Sequence, residues 1–191
     1  SRKPLDVKEE VRRLAASGFK EVVLTGIHLS SYGIDFPKEE RLTLLDLIKS
    51  VHGIEGICRI RLGSLEPRIV TEEFAKELSS LSKICPHFHL SLQSGCDSTL
   101  RRMNRRYTAK EYLRGCEILR KAFKNPAITT DVIVGFPGET EEEFEITKKY
   151  LKEIHFYEMH VFKYSRRNGT KAAVMPDQVP ESVKTERSNE L

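Results

Sequence analysis

The sequence predicts an α/β fold built on five parallel strands, with one polar face left open. Three observations predict it. Strand-like and helix-like hydrophobic periods alternate along nearly the whole chain, and such alternation means right-handed βαβ units. The 191 residues fall short of the roughly 250 that a complete eight-fold barrel takes. One face of the expected strands is also polar, where a closed barrel would pack branched apolar side chains.

The elements follow in order. Val7, Val11 and Leu14 repeat at helical spacing and Gly18 stops that helix. Residues 21–26 (EVVLTG) read as a buried strand, 42–50 as a short helix and 59–64 (RIRLGS) as a strand. A helix over 71–82 sets Phe74, Leu78 and Leu81 on one stripe, and 87–92 (HFHLSL) is a strand. The helix over 108–123 carries Tyr112, Cys116, Leu119 and Phe123, and 128–135 (ITTDVIVG) is a strand. Thr140 and Glu143 make a capping box at the start of a helix over 140–154, before a last strand over 157–164. Residues 171–180 are polar, contain two prolines and read as a linker, after which 181–191 begin a helical pattern. The expected organisation is a partial barrel domain over 1–170, then a linker and the start of a truncated helix over 171–191. The chain opens on a helix with no strand to feed it, so both ends read as cut from a longer protein, with an exposed flank where that strand would pair.

Composition narrows the class. With 39% hydrophobic and 31% charged residues, global disorder is excluded. No apolar stretch approaches the roughly 18 to 20 residues of a membrane span, and no secretory signal opens the chain. Cysteines 58, 85, 96 and 116 form no C-x-x-C and no metal spacing, which reads as reduced thiols in a cytoplasmic protein. The net charge of +4 is mild, but residues 97–124 hold nine basic and three acidic residues. That stretch is either a polyanion site or a solvated helix face.

Alternation divides the strands into two faces. Ile60, Leu62, Phe88, Leu90, Leu92, Val132 and Val134 belong under the helices. Arg59, Arg61, His87, His89, Ser91, Gln93, Thr129 and Asp131 share the other face. Burying such groups unpaired costs about 2 kcal/mol or more apiece. This face therefore reads as a cavity for a large polar ligand, or else as a network of side chains paired among themselves. Ligands of parallel α/β folds sit at the carboxyl ends of strands. Here those ends are Thr25-Gly26, Ser64 to Pro67, Gln93 to Gly95, Gly135 to Thr140 and Tyr164 to Thr170. There is no Walker A and no G-x-G-x-x-G pattern. His87 and His89 have the alternation that can grip zinc, but they lie at the wrong end of their strand and are expected to be hydrogen-bonded histidines.

The strings LTGIHLSSYG, RIRLGSLEP, HFHLSLQSGCDSTLRRMNRRYT, TTDVIVGFPGETEEEF and HVFKYSRRNGTKAA resemble, in order and over nearly the whole chain, the radical S-adenosylmethionine methylthiotransferases. Within that family the chain is most similar to the enzymes that thiomethylate threonylcarbamoyl-adenosine beside the tRNA anticodon. Sister subgroups act on isopentenyl-adenosine in tRNA or on a ribosomal-protein aspartate. The resemblance implies a partial, open six-stranded α/β barrel whose first strand is missing here. It implies S-adenosylmethionine and two [4Fe–4S] clusters in the parent protein, with tRNA as partner and no membrane. The family's Cys-x3-Cys-x2-Cys motif does not occur in this sequence, so the fragment is expected to bind no cluster and to be inactive alone.

Site residues follow from the same resemblance. Gln93, Arg105 and Asp131 fall where related radical enzymes hold S-adenosylmethionine, with Asp131 accepting from ribose hydroxyls, Gln93 bonding the ribose and Arg105 pairing with the methionine carboxylate. Glu66 matches a glutamate that meets the amino group, and Thr25 and Gly26 present a strand end to the aminoacyl part. Ser64 and Gly135 complete the expected cofactor-binding set. Arg101, Arg102, Arg106, Arg166 and Arg167 are the expected RNA contacts, and no residue is assigned a catalytic role. Two other readings stay open at this point: the same chemistry on a ribosomal protein, and a non-catalytic α/β scaffold that binds RNA by its basic face.

Overall fold

The computed structural model describes residues 1–191 apart from the side chain of Glu40. Two compact units divide the chain. The first holds residues 1–89 and 117–126, and the second holds 90–116 and 127–191.

In the first unit, α1 (Pro4–Ala16) starts with proline in its first turn, where the missing N–H is not needed. Gly18, at φ +91°, turns the chain out of it. β1 (Glu21–Leu24) pairs in parallel with β2 (Arg59–Leu62), placing Glu21 opposite Arg59 and Leu24 opposite Leu62. α2 (Leu44–His52) begins with a Thr43–Asp46 capping box, and α3 (Glu72–Ser79) is capped by Thr71. β3 (His87–His89) closes the series, with Ile60 and Ile84 forming a further parallel bridge. Ile48, Val51, Ile60, Leu65, Leu78 and Phe88 are buried, and the Phe88 and Phe123 rings meet at 4.8 Å. The Lys20 carbonyl accepts from Arg59 of β2, and the Leu24 carbonyl from Gly63 just past it. Alternate residues of a parallel strand bond to opposite sides, so Val23 turns its backbone groups away from β2. Among the described residues no strand pairs with that edge, which is the exposed flank that the sequence predicts.

The second unit takes up the chain at Leu90, whose amide donates to the Thr129 carbonyl at 2.9 Å. β4 (Ala127–Val134) and β5 (Glu158–Lys163) run in parallel, with Asp131 opposite His160 and Ile133 opposite Phe162. The helices are α4 (Asp97–Arg102), α5 (Ala109–Ala122), which ends in the first unit, α6 (Glu141–Ile154) and α7 (Glu181–Glu190). α6 starts with the expected Thr140–Glu143 box and ends at His155 in the left-handed region. Leu90, Leu92, Tyr112, Cys116, Val132, Val134, Phe144 and Ile154 are buried. Thr130 lies among them because its hydroxyl replaces ladder bonds, donating to Leu90 O at 2.6 Å and accepting from the Leu92 amide at 3.0 Å.

Residues 171–191, which read as a linker and the start of a truncated helix, belong to the second unit. Ala173 is buried, and so are Lys184 and Arg187 of α7. The helix docks through buried charged side chains with specific partners, so its polar sequence lacks the apolar stripe that marks a packed helix.

Candidate functional site

In the first unit the expected residues stand at the carboxyl ends of β1 and β2. The register puts the two loops side by side. The Gly63 amide donates to Leu24 O at 2.8 Å, and a Cβ at Gly63 would sit 3.0 Å from Thr25 Oγ1. Leu65 is buried and its amide donates to His89 O at 2.9 Å. This leaves Ser64 and Glu66 on either side of it exposed, as are Thr25 and Gly26. The Glu66 amide donates to Ser30 Oγ at 2.9 Å. Beside β1 lies a cavity of about 940 Å³, lined by Val7, Leu14, Phe19, Val23 and Ile34 among others.

Two members of the predicted polar face, Arg59 and Arg61, share one partner on β1. Arg59 Nε and Arg61 Nε both donate to the Glu21 carboxylate, Arg61 at 3.2 Å. Those two hydrogen bonds, Arg59 first, hold the Glu21 carboxyl below its usual value. At this end the polar face is a side-chain network, the second of the two readings that the sequence leaves open.

In the second unit the expected residues converge through the backbone. Gln93 is buried and adopts φ +71°. Its amide donates to Asp131 O at 2.8 Å and its carbonyl accepts from the Ile133 amide at 2.8 Å. The Tyr107 hydroxyl donates to Ser91 O at 2.8 Å and Leu92 O at 3.0 Å. That bond pins the segment carrying Arg105 to the same strand end. Arg105 Nε is buried without a hydrogen-bond partner, and buried polar groups are nearly always paired. Asp131 is half-buried on the face opposite the sealed Val132.

Gly135 is placed differently. It adopts φ +70°, and a Cβ there would lie 2.3 Å from Cγ of Lys184. The close approach that this glycine permits is therefore made by α7. The Gly135 amide donates to Glu139 Oε2 at 2.6 Å, and Lys184 Nζ donates to Tyr164 O at 3.0 Å.

The arginines divide as well. Arg101, Arg106, Arg166 and Arg167 are exposed, and Arg166 Nε donates to Ala173 O at 2.7 Å. Arg102 is committed inside the unit, bidentate to Glu143, with Nη1 to Oε1 at 2.9 Å and Nη2 paired with Oε2. Glu143 also accepts from the Ser98 hydroxyl. Burial would raise its carboxyl, but Arg102, Ser98 and the Thr140 amide outweigh that and hold it at about 2.

Several residues of consequence escape sequence reasoning. Glu139, Lys184 and Arg187 are partners of one another's elements across long sequence separations, and nothing local announces them. His160 and Phe162 escaped as well, although their alternation along the last strand is a signal that could have found them; the register sets them opposite Asp131 and Ile133. The four cysteines are free, and among the described residues no group of His, Cys, Asp and Glu is placed to hold a metal ion. No described helix is long and apolar enough to cross a membrane.

Residues 1–151 match the family model described as the radical SAM superfamily. Over all 191 residues the chain is 46% identical to the tRNA-2-methylthio-N(6)-dimethylallyladenosine synthase of Caldicellulosiruptor saccharolyticus, covering 40% of that protein. It is 45% identical over the same length to the threonylcarbamoyladenosine tRNA methylthiotransferase MtaB of Bacillus subtilis, covering 42% of it. The chain thus spans about two fifths of the curated relatives it matches. Similarity to these two does not separate their two substrates. Among solved structures, coproporphyrinogen III oxidase (HemN) of Escherichia coli, a radical SAM enzyme, matches at a TM-score of 0.70 and 17% identity, over 100% of this chain and 45% of that one. The radical S-adenosylmethionine methyltransferase TsrM of Kitasatospora setae matches at 0.67 and 19% identity, over 87% of this chain and 32% of that one. At such identities the likeness is one of fold.

Proposed function

The chain belongs to the radical SAM superfamily, and from that premise we propose that it is the S-adenosylmethionine-holding part of an enzyme that adds a methylthio group to a modified adenosine of tRNA beside the anticodon. The observation that carries this is identity of 46% and 45% along the entire chain with two relatives named for that transfer on tRNA.

The residues fit S-adenosylmethionine in one respect that a bare scaffold would not need. Arg105 keeps a buried Nε with no protein partner, next to a strand end where Gln93 and Asp131 are locked by backbone bonds. Arg105 would pair with the ligand's carboxylate, while Asp131 and Gln93 would bond its ribose hydroxyls. When bound, S-adenosylmethionine supplies the radical chemistry, and the chain's own part is to bind and orient it. The residues do not fit an iron–sulfur cluster: the cysteines are scattered, and no described group could hold a metal. Both clusters belong, on this reading, to other parts of the full-length protein, and the 191 residues alone turn nothing over.

Calorimetry of S-adenosylmethionine against this chain tests the reading. Weak binding is expected. Asp131→Ala should abolish it, since charged hydrogen bonds of about 1.5–3 kcal/mol are lost, and Arg105→Ala should weaken it less. Equal binding by wild type and both variants would overturn it.

A further inference from the structure

β5 carries an aromatic ring on the open side of its sheet. Phe162 is 53% exposed, although β5 is paired with β4 along its whole length. The pairing sets Ile133 beside Phe162 and Asp131 beside His160, all on one face. The opposite face is closed. Thr130, Val132 and Val134 are buried there, and Lys163 is tied to Glu181 at 2.6 Å and Thr185 at 3.3 Å on α7. Phe162 therefore stands on the face that α7 does not cover, with half-exposed Ile133 as its neighbour and the exposed His160 two residues along its strand.

Just past the strand come Arg166 and Arg167, both exposed. Arg166 is held in place through its Nε bond to Ala173 O. An open ring followed within a few residues by two exposed cations, one of them anchored, is the pattern that single-stranded nucleic acid uses. The base stacks on the ring, which has no sequence preference of its own, and the phosphates pair with the guanidinium groups. Imidazole at the edge of the ring can donate to or accept from the base.

Resting on the tRNA reading above, we propose that Phe162 is the stacking platform for the RNA base on which the enzyme acts, with His160 at the base edge and Arg166 and Arg167 on the flanking phosphates. This adds a substrate-positioning residue on β5 to the cofactor residues on the neighbouring strand end.

The test uses the 191-residue chain and a fluorescently labelled loop-length RNA with one central adenosine among uridines. A second RNA is identical but abasic at the centre, and anisotropy is read across a salt series. The wild type should prefer the adenosine RNA about tenfold, the size expected for one stacked base. Phe162→Ala should erase that preference and Phe162→Tyr should keep it, with circular dichroism confirming that both fold. Arg166→Ala with Arg167→Ala should weaken both RNAs alike and flatten the salt dependence. An unchanged preference in Phe162→Ala contradicts the proposal, as does failure of the wild type to bind either RNA at the lowest salt. Loss of S-adenosylmethionine affinity in Phe162→Ala, read by calorimetry, contradicts it too, because the ring would then serve the cofactor's adenine. An unaltered S-adenosylmethionine affinity in Asp131→Ala would instead count against the cofactor reading and leave the RNA result standing.

Discussion

Arg187 Nη1 stands 2.9 Å from the Glu139 carboxylate with both side chains sealed from water, at 6% and 1% exposure. The same guanidinium donates to the Glu139 carbonyl at 3.1 Å and to Glu141 Oε2 at 3.0 Å, and it lies 5.2 Å over the Phe144 ring. Glu139 in turn accepts from the Gly135 amide. Burial pushes the Glu139 carboxyl up, against the pull of that amide and of Arg187. The pair clamps α7 onto the turn that ends β4.

Breaking that clamp from one side should be severe. Arg187→Met leaves a buried carboxylate without its cation, a loss of about 3–5 kcal/mol. Pairing it with Glu139→Gln removes the orphaned charge, so the double variant should recover much of the stability. Urea denaturation of the two single variants and the double variant measures this. Strictly additive losses would show that the two residues are not coupled.

Glu143 gives the acid response of the second unit. Its folded value, about 2, lies below the ordinary 4.5. The group therefore adds stability above about pH 4.5 and loses it as the pH falls through about 2. With solvent access to the pair, about 1–2 kcal/mol is expected at neutral pH. Glu143→Gln keeps a side chain able to close the capping box but removes the charge. Its melting temperature should be lower at pH 7 and should converge on that of the wild type in acid. Parallel stability curves down to pH 2 would remove Arg102–Glu143 from the account.

The free edge of β1 should be adhesive. Val23 is 53% exposed and Phe19 is 57% exposed, beside the apolar cavity along the strand. An unpaired edge invites another strand, and a lysine on it is a usual deterrent. Sedimentation velocity should show concentration-dependent association that Val23→Lys suppresses. A monomer at every concentration would show that the edge is protected by other means.

The sequence made much of this legible, and where it failed the reasons are physical. Alternation along β2 to β4 correctly separated Ile60, Leu62, Phe88, Leu90, Val132 and Val134 from the polar face, because burial on one side of a strand writes itself into every second residue. Thr140 and Glu143 were readable as a cap because both partners lie within one turn. The same Glu143 binds Arg102 41 residues away, which no local pattern encodes, so an arginine expected to contact RNA is paired within the second unit instead. The docking of α7 was not legible because it rests on Lys184 and Arg187 rather than on apolar residues. Gly135 is a member of the expected cofactor-binding set, and nothing local in the sequence shows that Lys184 packs against its α-carbon.

The central claim is that Gln93, Arg105 and Asp131 hold the cofactor for methylthio transfer to tRNA. Nucleoside mass spectrometry of tRNA tests it most directly, from cells that lack the full-length protein and are complemented with the wild type or with Asp131→Asn. The account predicts a 2-methylthio-adenosine derivative that returns with the wild type and stays absent with Asp131→Asn, both proteins being present at equal level. A full complement of the modified nucleoside with Asp131→Asn, or none with the wild type, would contradict it.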